Sequence, residues 1–162
     1  MGPDLSEYER RISELVRVGV ISEVQPENGL CRVSFGRRVS PLSPWFTRRA
    51  GKDREFWHPD IGEQAVYISP YGDGSEGFVL LGIFSNKMPL PEGAREGLHI
   101  IEYEDGTRFE VDRVNHVVLI KDSYDSRIRM ADGDIVFKSK RNIHLNPESD
   151  MTIAGHLAAI FD

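Results

Sequence analysis

Five histidines, one cysteine and two close carboxylate pairs are the side chains of this 162-residue chain that could do chemistry. His58, His99, His116, His144 and His156 form no H-x-H, H-x-x-x-H or H-E-x-x-H pattern, so metal binding would require pairing across chains. No metal and no cofactor is expected. Cys31 sits inside the alternating run Leu30-Cys31-Arg32-Val33-Ser34-Phe35. A lone strand cysteine with no histidine beside it reads as a packed residue, and a single cysteine makes no intrachain disulfide. Glu102 and Glu104 share a strand face, and Asp132 and Asp134 flank Gly133. Paired carboxylates can hydrolyse glycosides, but Asp-Gly-Asp is also what a tight turn asks for. There is no G-x-S-x-G and no P-loop. Gly72, Gly74 and Gly77 imitate a dinucleotide loop only in spacing, since no helix pattern follows them. The reading is therefore non-enzymatic, with no catalytic residues and no small-molecule substrate.

A different chemistry is carried by residues 37–57. Arg37, Arg38, Arg48, Arg49, Lys52 and Arg54 are interleaved there with Trp45, Phe46, Phe56 and Trp57. Arginines beside aromatics on a small β-barrel bind single-stranded nucleic acid by phosphate pairing and base stacking. The alternative is that these aromatics form the barrel core or a subunit interface, with arginines pairing across it. Charge weighs against nucleic acid. The chain carries 20 Lys+Arg against 26 Asp+Glu, a net of −6. Residues 1–91 hold 11 against 12 and residues 92–162 hold 9 against 14, so the second half is the acidic one.

The elements that must position these residues follow from periodicity. Leu5, Tyr8, Ile12, Leu15 and Val16 recur at helical spacing, with Asp4 as an N-cap and Glu7 three residues on, predicting a helix over residues 1–18. Its apolar stripe needs a cover, either its own domain or a neighbouring subunit. From Gly19 the period drops to two. Strands are expected at Val20–Val24, Leu30–Phe35, Gly62–Ser69 and Phe78–Phe84, joined by Gly/Pro-rich turns such as Asn28-Gly29. Four or five short strands over residues 19–87 suggest an OB-fold barrel. Met88-Pro89-Leu90-Pro91 opens a linker over 88–97.

The rest, residues 98–162, is a repeat. Two apolar residues separated by one recur at Ile128/Met130, Ile135/Phe137, Ile143/Leu145 and Met151/Ile153, at steps of 7, 8 and 8 residues. Phe109/Val111 and Val118/Ile120 precede them with longer steps, and Ala159/Phe161 continue the series. Turn residues such as Asp132-Gly133-Asp134 and Asn146-Pro147 lie between. Each strand offers two inward apolar side chains, too few for one chain to enclose a core. The units could wind as a one-chain solenoid, but six or seven strands would complete only about two turns at ~20 residues per turn. Three chains wound together triple the material at every level. The expected fold is all-β: an N-terminal helix and an OB-fold barrel, then a trimeric intertwined β-helix or β-prism. Ile128, Met130, Ile135, Phe137, Ile143, Leu145, Met151 and Ile153 line its axis.

The runs Arg17-x-Gly19-x-Ile21, Cys31-Arg32-Val33, Trp45-Phe46-Thr47-Arg48-Arg49-Ala50-Gly51, Trp57-x-Pro59-x-x-Gly62-Glu63-Gln64 and Val79-Leu80-x-Gly82-Ile83-Phe84-Ser85 resemble the baseplate assembly protein V family. These are central tail spikes of contractile-tailed phages and related bacteriocins. The resemblance is close over about residues 10–90 and is one of architecture beyond, where Leu98-His99-Ile100 and Asp105-Gly106-Thr107 would begin a trimeric prism. It implies a homotrimer held by its OB domain to baseplate hub and tail-tube proteins. It implies a needle driven through the host outer membrane on sheath contraction, in a virion assembled in the host bacterial cytoplasm. Many members end in an apex where H-x-H motifs of three chains hold iron. No H-x-H stands here, so His144 and His156 do not inherit a metal role. The expectation is an apex beyond residue 162 or a separate tip protein at that end. The rivals are a single-strand nucleic-acid-binding OB protein with a β-repeat tail and, more weakly, a polysaccharide-degrading trimeric β-helix.

Overall fold

The computed structural model describes residues 5–145 and divides the chain into two compact units, Met1–Leu90 and Pro91–Asp162. Helix α1 (Leu5–Leu15) runs without a connector into strand β1 (Val16–Gln25). The helix expected over residues 1–18 is thus shorter at its C-terminal end, and Asp4 lies outside the described residues. Val16, Arg17 and Val18 pair instead with Ile68, Tyr67 and Val66 of β4 (Gln64–Ile68). Strand pairing gives their backbone groups sheet partners and suits β-branched valines. β2 (Leu30–Ser34) returns along β1 after a short 3₁₀ turn, with Gly29 at φ +67° closing the corner. β3 (Ser43–Pro44) and β5 (Phe78–Ile83) complete the antiparallel order β3-β2-β1-β4-β5. The sheet curls until its ends meet. Trp45 bridges Val79 in parallel, and the Phe46 N–H donates to the Val79 carbonyl at 2.9 Å.

The curl encloses a small core of Ile21, Cys31, Val33, Ala65, Tyr67 and Val79, with Val24, Phe35, Trp45 and Leu81 packed against it. β1 does not place its first three valines there. Val16, Val18 and Val20 point outward, and Arg17 and Gly19 point in. Two contacts explain the inversion. The Arg17 guanidinium lies 3.8 Å from the Phe35 ring centroid and pairs with Glu14 at 2.8 Å. At Gly19 the Ser34 carbonyl and the Val33 side chain come so close that a Cβ would overlap them. Only glycine admits β2 at that distance.

In the second unit β6 (Leu98–Glu102), β7 (Arg108–Asp112), β8 (Val117–Lys121), β9 (Arg127–Ala131) and β10 (Asp134–Lys138) form an antiparallel meander in chain order. Consecutive strands pair with each other, so within one chain these units do not wind as a solenoid. Tight turns make the corners. Asp132 and Gly133 both have positive φ, +56° and +84°, the two-residue hairpin geometry that matches strand twist. Asp112 organises another turn. Its carboxylate accepts from the Val114 and Asn115 amides at 3.0 Å, from Asn115 Nδ2 at 2.8 Å and from Arg95 at 2.6 Å. The Arg95 guanidinium, then these amide donors, hold the Asp112 carboxyl well below the usual carboxylate range. Among the described residues of this unit only Ala131 and Asp112 are buried.

Candidate functional site

The meander turns the sequence repeat into a surface. Because strand side chains alternate, each apolar pair puts both members on one face, and the register stacks the pairs across strands. Ile101 faces Phe109, Phe109 faces Ile120, Ile120 faces Ile128, and Ile128 faces Phe137. Beside this row run His99, Val111, Val118, Met130 and Ile135. Two apolar columns thus cross all five strands with one histidine at their start. Ile128, Met130, Ile135 and Phe137 belong to them and are 36%, 38%, 60% and 59% exposed in the single chain. Ile143 and Leu145 follow β10 and are more than half exposed. Met151 and Ile153 lie outside the described residues. Ile101 was not assigned to the repeat from the sequence, although it precedes Phe109 by the same eight residues.

The opposite face is mixed. Glu102, Arg108, Lys121, Arg127 and Lys138 are neighbours across the five strands, and Ile100, Glu110, Leu119, Arg129 and Val136 form the next row. Arg108 pairs with Glu102 at 2.5 Å and with Glu110 at 2.7 Å. Arg127 and Lys138 share Asp125 at 3.7 and 3.6 Å. One face of the sheet is therefore suited to water and the other is not.

The remaining candidate residues are scattered. His58 Nδ1 lies 3.0 Å from the Pro59 carbonyl, His99 is on β6, and His116 occupies a turn at φ +54°. His144 is exposed and His156 lies outside the described residues. Among the described residues no group of three or more His, Cys, Asp or Glu side chains could hold a metal ion. Cys31 is fully buried and its thiol is pushed up to about 11 by that burial, so it is a packing group. Glu102 is tied to Arg108, and Asp132 is a turn residue.

The basic–aromatic stretch divides. Trp45 packs on the barrel core, as one reading of the sequence had it. Phe46, Phe56 and Trp57 are about half exposed or more, so for these three the core reading is corrected and the subunit-interface alternative stands. They lie on the chain between β3 and β4, where no strand alternation directs them inward. Arg38 pairs with Glu14 at 2.8 Å, Arg48 with Glu55 at 3.2 Å and Arg49 with Asp53 at 3.8 Å. Half of the stretch's six cations are thus engaged by carboxylates of the same chain.

Comparison with known proteins places this geometry. Residues 17–84 match the family described as the type VI secretion system/phage-baseplate injector OB domain. Over 111 residues the chain is 35% identical to the spike protein of Escherichia phage P2. That alignment covers 64% of this chain and 53% of the relative, so the match spans about half of the relative's length. The resemblance to the baseplate assembly protein V family is thereby shown, carried by the injector OB domain match over residues 17–84 and the 35% identity to the phage P2 spike protein.

Proposed function

We propose that a baseplate spike built on this injector OB domain works as a non-enzymatic, homotrimeric needle. Sheath contraction drives it through the host outer membrane. The observation that carries the reading is the pair of apolar columns on one face of β6–β10, half-buried on β6 and β7 and exposed on β9 and β10. A single five-stranded sheet with one apolar face has no core. Three such faces turned inward make one, at roughly 25 cal/mol for each Å² of apolar surface removed from water. The in-chain pairing supports a prism of three facing sheets rather than interleaved single strands. Ile128, Met130, Ile135, Phe137, Ile143, Leu145, Met151 and Ile153 are assigned to the axis, together with Ile101.

The mechanism is mechanical. Cross-strand hydrogen bonds and a filled axis make the rod stiff, and the charged outer rows keep its surface hydrated. The OB unit holds the needle to hub and tail-tube proteins of the baseplate. The protein then resides in the virion and is assembled in the host bacterial cytoplasm. Light scattering of the full chain tests this. A three-chain mass that persists at micromolar concentration is expected, and a one-chain mass overturns the reading.

A further inference from the structure

The OB unit also carries an apolar face that the barrel does not use. On its outer side Val16, Ile68 and Phe78 align across β1, β4 and β5, Val18, Val66 and Leu80 form the next row, and Val20, Gln64 and Ile83 the third. Eight of these nine residues are apolar. An antiparallel sheet with one solvated side alternates polar and apolar residues, so this composition marks a covered face. Phe46 extends it, its ring 6.1 Å from that of Phe78.

A second unpartnered apolar surface lies next to it in sequence. Leu5, Tyr8, Ile12 and Leu15 of α1 are 78%, 50%, 66% and 36% exposed, whereas the helix buries Glu14. The buried Glu14 carboxylate pairs with Arg17 and Arg38, both at 2.8 Å. Gly72 packs so tightly on the Arg11 carbonyl that a Cβ would not fit between them. With α1 pinned in this way and no residue between Leu15 and Val16 to make a turn, the helix cannot swing its stripe onto the sheet face that begins at Val16.

We infer that the apolar stripe of α1 in one copy of this chain docks on the outer β1-β4-β5 face of the next copy, closing a three-membered collar. The pairing is heterologous, stripe on face, and such a contact closes into a three-membered ring when its rotation is a third of a turn, which a three-fold needle would impose. A lone OB unit offers about a dozen apolar residues, fewer than the ~20–30 per side of a stable interface. The collar therefore depends on the needle. Three copies joined through their second units hold their OB units at high effective concentration, and a weak contact then suffices. The inference rests on the trimeric reading.

The test uses the full chain carrying Ile12→Cys together with Val18→Cys or Leu80→Cys. All three positions are exposed in the single chain, so the variants retain the fold, and buried Cys31 stays silent. Treatment with a short bismaleimide is expected to yield covalent two- and three-chain species from at least one double variant and from neither partner single variant. A three-chain mass by light scattering with no covalent species overturns the collar and leaves the needle standing. A one-chain mass overturns both. Covalent species from Leu80→Cys or Val18→Cys alone would place like faces together and overturn the stripe-on-face pairing.

Discussion

The two units solve the same packing problem in opposite ways. The OB unit curls one sheet until its ends meet, and six residues become fully or almost fully buried inside it. The meander of the second unit stays open, and its best apolar residues remain about a third to two-thirds exposed. The difference lies in where the strands lead. β3 and β5 are brought together by a closing bridge, whereas β6 and β10 are, among the described residues, the end strands of a sheet that pairs only neighbours in sequence. A sheet that closes supplies its own second layer, and one that does not must find that layer elsewhere, which the proposed trimer supplies from other chains. Stability should accordingly be intramolecular in the first unit and intermolecular in the second.

The largest effect that would break this contrast is expected at Ile135. In the proposed trimer Ile135→Asp would place three carboxylates together on the axis, each costing several kcal/mol when buried without a partner. The chain should fall to a one-chain mass while the OB unit stays folded. Trp45 and Trp57 both lie in that unit, so tryptophan fluorescence reports on it alone. A three-chain mass with an unchanged thermal transition would remove Ile135 from the axis.

The reverse experiment acts on the closed core. Ile21→Ala deletes a side chain that is 1% exposed, and a cavity of this kind costs about 2–5 kcal/mol. The tryptophan-detected unfolding transition should drop, and the three-chain mass should persist. Loss of the trimer instead would mean that the two units are not energetically separate.

Glu14→Ala sharpens the picture at the helix. It leaves Arg17 and Arg38 without their carboxylate, and a broken buried pair costs roughly 3 kcal/mol. Arg38 is largely exposed and loses little, so the effect should come from Arg17. Urea unfolding followed by fluorescence measures it, and a change below ~0.5 kcal/mol would show that Phe35 stacking alone holds Arg17.

A smaller effect is expected from acid. Asp112 has a folded-state pKa below its ordinary value, so its contribution to stability is complete above the usual carboxylate range and is lost as pH falls through that range toward the folded pKa. The Val114 and Asn115 amide resonances should move together only well below the ordinary carboxylate range, and Asp112→Asn should abolish that movement. Titration of these amides at the ordinary carboxylate pKa would mean that the Arg95 contact is not formed in solution.

The smallest expected effect is none at all. Three copies carry a net charge of −18, three times −6, and the arginines at positions 38, 48 and 49 already face carboxylates. No binding to single-stranded DNA or RNA is expected at physiological salt. Binding tighter than about 1 μM, weakened by Trp57→Ala and by added salt, would move the function to the nucleic-acid reading.

What the sequence determined by itself was the periodicity and its punctuation. The change from helical spacing to alternation, the Gly/Pro turns and the eight-residue apolar pairs located the strands and the repeat, because side-chain period and turn chemistry are local properties. The motifs of residues 17–85 identified the family because they sit at definite spacings. Which face of a strand is the inner one was decided only in three dimensions. The spacing puts Val16 on a helical stripe and begins the strand at Val20, yet in β1 Val16, Val18 and Val20 face outward and Arg17 and Gly19 occupy the interior. The reasons lie far along the chain, in the Phe35 ring and the close approach of Ser34. The same holds for α1, whose buried side chain is Glu14 and not its apolar stripe. A polar group enters a barrel only where another segment brings it a partner, and a period of two is unchanged when inside and outside are exchanged.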